Sequence, residues 1–290
     1  MKKILVPVDF SNHTNTVCTY AYEIARKTGG EIRLFHAYFD FMISTNTTFP
    51  YSVESNEMFN QEMMVKIRNE AKSDMLKLHT GLNEKLKKDK VHNVKVVYTL
   101  TGGLPEEEIL NVSETYDPDL IIMGTRGRGE KDMLTGKVSS KVVHNANCRI
   151  LTVPRNAEYK GFENILYATD FNDEDRKDLE RLIDLLSNYK PVIHCLHVDM
   201  EDNEKEMTRK LDKLKSYFDL NYQTTRIRYE VACHENFLEC INDYVKKYSI
   251  DLIAVVHRRK SFLKRLFTKD HTRELLFHSD VPLYIFPGKE

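Results

Sequence analysis

Ile4-Leu5-Val6-Pro7-Val8-Asp9-Phe10-Ser11 returns 161 positions later as Ile165-Leu166-Tyr167-Ala168-Thr169-Asp170-Phe171-Asn172. At the same offset Leu34-Phe35-His36-Ala37 aligns with Cys195-Leu196-His197-Val198 without a gap. Further on, Tyr116-Asp117-Pro118-Asp119-Leu120-Ile121-Ile122 aligns with Tyr248-Ser249-Ile250-Asp251-Leu252-Ile253-Ala254 at an offset of 132, so the second copy lacks 29 residues, around 39–90. Ile150-Leu151-Thr152-Val153-Pro154 matches Leu283-Tyr284-Ile285-Phe286-Pro287 at 133, which makes the first copy one residue shorter just after Ile122. A repeat of this period means two copies of one domain-sized unit.

Each copy alternates short β-branched apolar runs with helical patterns. In the first, 3–8, 31–38, 93–100, 119–123 and 149–153 read as strands, and 14–28, 57–88, 105–115 and 137–146 as helices. Pro105 followed by three glutamates suits a helix N-terminus, and Gly29-Gly30 suits a helix end. In the second copy the strands fall near 163–169, 191–198, 225–232, 251–256 and 283–286, with a shorter middle helix at 201–219. Such alternation implies right-handed crossovers and parallel sheets. The expected fold is therefore α/β: two tandem doubly wound, five-stranded, Rossmann-like domains at 1–154 and 162–290, joined by a polar linker from Arg155 to about Gly161. Segment 39–56 is a polar and aromatic insertion, read either as a lid or as an ordinary surface loop.

Composition removes several classes. Hydrophobic residues are 41% and charged residues 30%, which excludes a disordered or low-complexity chain. With 43 Lys plus Arg against 44 Asp plus Glu, no global field draws the protein to nucleic acid, which is not an expected partner. No apolar run approaches the ~20 residues of a membrane span, and the N-terminus has no signal-peptide core, so no membrane and a cytoplasmic location are expected. Five cysteines without a C-x-x-C pair suit reduced, packed thiols.

Two features carry chemistry. Met123-Gly124-Thr125-Arg126-Gly127-Arg128-Gly129 leads to Gly136-Lys137-Val138-Ser139, after a strand and before a helix, where glycine backbone N–H groups and a helix N-terminus attract phosphate. This is not a Walker loop: Gly129 lies seven residues before Gly136 instead of five, and Val138 stands where Ser or Thr binds magnesium. At the end of the first strand Asp9 can accept from a ribose or an adenine amino group, or it can cap the next helix. In this topology Asp9 and the glycine loop face each other across the point where strand order reverses, where open α/β sheets bind ligands.

Both copies resemble the universal stress protein family, through Ile4–Ser11, Leu34–Ala37, Asp119–Gly124 and Ser139–Val143 running into Cys148–Pro154. The nucleotide-binding branch of that family carries glycine, two residues, glycine, nine residues, then glycine with Ser or Thr. Gly124 and Gly127 match its opening, but eight residues separate Gly127 from Gly136, and Lys137 replaces the hydroxyl residue. Either the Lys137 charge or the Ser139 hydroxyl, after a small loop shift, then meets a phosphate. The resemblance implies ATP or AMP, with or without magnesium. Asp9 and the Ala37 backbone would hold adenine and ribose, with Pro7 and Met123 packed nearby. Gly124, Gly127 and Gly136 would take the phosphates, and Arg126 would add charge. It also implies a stress-response regulatory module, with slow ATP hydrolysis at most and dimers formed through fifth strands, here between the two halves of one chain and in a homodimer. A slow ATPase or adenylyl-handling enzyme and a ligand-free dimeric scaffold are the alternatives.

In the second copy Val256-His257-Arg258-Arg259 replaces the glycine loop, so only the first copy is expected to bind nucleotide. The basic, amphipathic stretch 257–273 reads either as a contact surface for an acidic partner or nucleic acid or, preferred here, as a solvated helix packing its apolar side on the second domain. His36 and His197 read as packing residues, and no metal or covalent-catalysis motif appears.

Overall fold

The computed structural model describes residues 2–39, 53–125, 137–169, 171, 175–200, 204–222, 225–257 and 279–287. The first repeat contributes β1 (Lys3–Pro7), α1 (Thr14–Thr28), β2 (Gly30–Tyr38), α2 (Val53–Lys88), β3 (Val94–Gly102), α3 (Pro105–Tyr116), β4 (Leu120–Gly124), α4 (Lys137–Asn145) and β5 (Arg149–Val153). The second contributes β6 (Asn164–Ala168), α5 (Asp175–Leu186), β7 (Val192–Asp199), α6 (Glu204–Asn221), β8 (Arg226–Cys233), α7 (Phe237–Tyr248), β9 (Leu252–His257) and β10 (Leu283–Pro287). The α/β expectation holds, with ten strands among the described residues. The basic segment 258–273 and most of the 39–56 insertion lie outside those residues, but the insertion's last residues already belong to α2, which starts at Val53 rather than 57.

Strand order explains where a ligand can sit. In the first repeat the order is β3-β2-β1-β4, with β1 parallel to both β2 and β4 and β2 parallel to β3. Successive strands therefore run outward in opposite directions from β1 and β4, and a crevice opens beyond their carboxyl ends. β1 is covered on both sides, so Ile4, Leu5 and Val6 are at most 1% exposed. That double burial is why the strand reads as a continuous apolar run rather than an alternating one, and each such side chain contributes roughly 1.5–3 kcal/mol.

The helices end where the sequence lets them. Pro105 opens α3 with Glu106, Glu107 and Glu108 in its first turn, and the helix stops at Asp117, whose φ is 50°. In the second repeat Asn236 caps α7 by accepting from the N–H groups of Leu238 and Glu239, and Ser249 ends it at the same φ of 50°. Gly30 has a φ of 113°, and a Cβ there would lie 2.4 Å from the Lys2 carbonyl oxygen, so no larger residue fits at the turn into β2.

Compactness divides the chain into two units, Met1–Ile121 with Lys137–Ala146, and the remainder. This division does not follow the repeats. β5 goes with the second unit because it pairs antiparallel with β10, Leu151 opposite Tyr284 and Ile150 opposite Ile285, whereas β10 pairs parallel with β9. Within that unit the order continues β10-β9-β6-β7-β8, mirroring the first repeat. No described helix is long and apolar enough to cross a membrane.

Candidate functional site

At the carboxyl end of β1 the chain turns sharply. The Val8 N–H donates to the Phe35 carbonyl at 2.8 Å, and His36 Nδ1 donates to the Val8 carbonyl at 2.7 Å. Since a carbonyl can only accept, the proton sits on Nδ1. Phe10 then takes a left-handed φ of 56°, with its ring centroid 4.5 Å from that of His36. This corner presents Asp9. Its Oδ1 accepts from the Ser11 N–H (3.1 Å), the Ser11 hydroxyl (2.7 Å) and the Thr14 hydroxyl (3.1 Å). Its Oδ2 is buried and, among the described residues, has no hydrogen-bond partner.

That division of labour answers the capping alternative. α1 is preceded by His13, with no side-chain cap bond, and Asp9 accepts a turn N–H and two hydroxyls instead of the helix's own N–H groups. One carboxylate oxygen is structural, and the other is an acceptor without a donor. A buried acceptor left unmade costs free energy, about 1–3 kcal/mol, so such an atom marks a place where a ligand donor fits. Pro7 is the last residue of β1 and pairs with Phe35, while Ala37 is buried near the end of β2 opposite Thr101. Pro7, Asp9 and Ala37 thus share one sheet edge.

The second repeat builds the same corner from different side chains. His197 Nδ1 donates to the Thr169 carbonyl at 2.7 Å, and Phe171 has a φ of 56° with its ring 5.0 Å from His197. Here the Thr169 hydroxyl donates to Asp175 Oδ2 at 2.7 Å and accepts from the Phe171 N–H at 2.9 Å. Thr169 and Asp175 occupy the positions of Val8 and Thr14. Asp170, the counterpart of Asp9, lies outside the described residues.

On the phosphate side the described residues reach only the rims of the loop. Met123 and Gly124 close β4, and the following Thr125 N–H donates to the Val153 carbonyl at 3.1 Å. Arg126, Gly127 and Gly136 lie outside the described residues, as does the side chain of Lys137, whose backbone opens α4. Ser139 is buried in the first turn of α4, and that helix is tied to α3 by Lys141 Nζ and Glu106 Oε1 at 2.7 Å.

Sequence reasoning took His36 and His197 for packing alone; both also lock the backbone that presents the corner. A signal existed, because Asp-Phe and His recur with the same 161-residue offset. It also passed over Asp119, whose Oδ2 accepts from the N–H groups of Lys2 and Lys3 at 2.6 and 3.0 Å, as Asp251 Oδ2 does from Glu163 and Asn164, both at 2.9 Å. Cys18, Cys195 and Cys240 are buried, and burial pushes the Cys18 thiol up to about 12, which favours its protonated form.

The model of the universal stress protein family matches residues 1–154 and again 161–287. Similar curated proteins include universal stress protein MJ0577 of Methanocaldococcus jannaschii, 30% identical over 161 residues that span 53% of this chain and 95% of that protein. Universal stress protein YxiE of Bacillus subtilis is 29% identical over 152 residues, 52% of this chain and 97% of its own length. The crystal structure of a universal stress protein from Archaeoglobus fulgidus DSM 4304 superimposes with a TM-score of 0.66 over 99% of this chain and 97% of that one, at 17% identity, and so supports the fold alone.

Proposed function

The chain belongs to the universal stress protein family, and we propose that its first repeat binds one adenine nucleotide, ATP or AMP, with or without magnesium, as the ligand of a cytoplasmic stress-response regulatory module. The observation that carries this reading is the buried, unpartnered Oδ2 of Asp9. An adenine amino group or a ribose hydroxyl is the kind of donor that oxygen requires, and the turn held by His36 and Phe10 fixes it before any ligand arrives. The Ala37 backbone and Pro7 flank it on the same edge. Gly124, Gly127 and Gly136 then cradle the phosphates, with Lys137 or Ser139 closing the loop and Arg126 and Met123 at its rim. Asp9 already carries three donors on Oδ1 and serves as an acceptor, so the reading is of binding rather than turnover. The second repeat acts as a built-in pairing partner through β5 and β10, and the whole chain forms a homodimer.

The test is to denature purified protein and identify released nucleotide by chromatography and mass spectrometry, then to follow phosphate release from added ATP. Retained or titrated adenine nucleotide with no turnover, and an affinity lowered roughly ten- to hundredfold in Asp9→Ala, is the expected result. Turnover lost in Asp9→Ala would make the protein an enzyme. No measurable affinity would leave a scaffold.

A further inference from the structure

α2 is 36 residues long, against 18 for α6, its counterpart in the second repeat. The two helices match over their last turns, because Leu82 and Leu86 are buried where Leu214 and Phe218 are buried 132 positions later. At that offset the first residue of α6, Glu204, stands opposite Lys72, so residues 53–71 have no helical counterpart among the described residues. The extra length leaves the sheet at one edge. Asp74, Lys77 and Leu78 line the same groove as Phe10, Ser11 and Asn12 at the carboxyl end of β1, and α2 ends at Lys88, next to the start of β3 at the opposite edge. The turns before Asp74 therefore project past the edge that carries Asp9, as an arm roughly 27 Å long at 1.5 Å per residue. Ala71 and Met75 are buried, but none of residues 61–70 is.

On the sheet, α2 buries a stripe at helical spacing that includes Ala71, Met75 and Leu82. The stripe does not stop where the sheet does. Ile67 and Met64 continue it by steps of four and three residues and are half-buried, while Met63 and Val65 beside them are 44% and 59% exposed. A helix of this length is marginal in water without a packed face, so the arm calls for a partner along that stripe. Charge selects the partner. Val53 to Glu62 carries Glu54, Glu57 and Glu62 with no base, a net charge of −3, whereas Met63 to Lys72 carries Lys66, Arg68 and Lys72 against Glu70, a net charge of +2. Among the described residues Glu62, Lys66, Arg68, Glu70 and Lys72 take part in no ion pair, so their charges are available to another chain. A uniformly acidic or basic helix would meet only one half of the arm with the right sign. A second copy of the arm, laid antiparallel across a two-fold axis, sets each acidic half beside a basic one. A parallel copy would set like against like.

We propose that the arm of α2, residues 53–71, is a homodimerisation element that pairs antiparallel with the same arm of a second copy, Met64 and Ile67 lying in the seam. This names the interface of the homodimer inferred above and rests on that reading. The edge of β5 is already taken by β10 of the same chain, so a second copy has to be met elsewhere. The arm offers what such a contact needs: an apolar stripe continuous with one that is already packed on the sheet, flanked by charges that complement themselves only when reversed end to end.

The test measures the mass of the full chain by light scattering and sedimentation equilibrium over a range of concentrations. The wild type is expected to be a dimer, with its Kd raised at least roughly tenfold in Ile67→Glu. Glu54→Lys, Glu57→Lys and Glu62→Lys together make the arm basic throughout, and Lys66→Glu, Arg68→Glu and Lys72→Glu together make it acidic throughout. Either set alone should weaken the dimer by at least roughly tenfold, and the chain carrying both sets should regain it, which a loss of folding cannot mimic. Circular dichroism and melting curves identify the folded variants, and Ile67→Glu reports if a charge set does not fold. A wild type that stays monomeric at high micromolar concentration overturns both this interface and the homodimer. A dimer that survives Ile67→Glu and either charge set overturns the interface alone, and failure of the combined sets to restore a dimer overturns the antiparallel pairing. Nucleotide content, read on the same samples, separates these results from a failure of the nucleotide reading.

Discussion

Phe10 and Phe171 stand at the same corner of the two repeats, share a φ of 56°, and each lays its ring against a histidine that donates to the carbonyl two residues before the phenylalanine. A left-handed backbone at a residue with a Cβ costs on the order of 1 kcal/mol or more, so the ring contact and the histidine bond offset a local strain. Phe10→Ala loses the ring and keeps the strain, whereas Phe10→Gly loses the ring and relaxes the backbone. Urea denaturation is expected to find Phe10→Ala less stable than wild type, with Phe10→Gly about 1 kcal/mol more stable than Phe10→Ala. Equal stabilities for the two variants would show that the φ carries no cost.

Asp119 and Asp251 each gather two backbone N–H groups at the start of a first strand. Removing either carboxylate strands two donors near the surface, where water partly replaces the lost acceptor. Asp119→Ala and Asp251→Ala should each cost about 1–2 kcal/mol. The two clamps share no partner, so the double variant should show the sum within ~0.5 kcal/mol, measured by chemical denaturation.

The acid limb of stability should report on His194. Burial, reinforced by the Arg228 cation and opposed by Glu230, holds its pKa below the ordinary value near 6.5, and its ring packs against Tyr244 and Tyr248. Among the described residues the buried His194 Nε2 has no partner, so a proton there has no acceptor. As pH falls through about 6.5 the unfolded chain binds a proton that the native state refuses, and stability drops until the lower native pKa is reached. Melting temperatures recorded from pH 7.5 to 5 should decline less steeply in His194→Phe than in wild type. Identical slopes would place the acid sensitivity elsewhere.

If one nucleotide binds per chain, the two repeats must respond differently to equivalent changes. Calorimetry with ATP is expected to give a stoichiometry near one, lost in Gly127→Val and retained in Asp170→Ala. A stoichiometry near two, or loss of binding in Asp170→Ala alone, would contradict the asymmetry between the copies.

The ten strands and the helices flanking them were legible because double burial makes β1, β4, β6 and β9 plain apolar runs, and because Pro105 and Gly29 mark helix ends. The start of α2 was not, since the segment before it lacks a helical period. Asp9 was visible as a candidate through its place after β1, but the split between an engaged Oδ1 and a lone Oδ2 depends on Ser11 and Thr14 side-chain geometry.

The antiparallel ladder between β5 and β10 also sets a timetable. Residues 149–153 leave the ribosome roughly 130 residues before 283–287, and at about 5–20 residues per second that interval is on the order of ten seconds. For that time the nascent first repeat presents an unpaired edge rich in Ile and Leu, the sort of edge that seeks a neighbour on an adjacent polysome. Until β10 arrives, the β5 edge of another nascent chain can take its place. Slowing elongation across 162–282 with rare codons should therefore raise aggregation without changing a single amino acid.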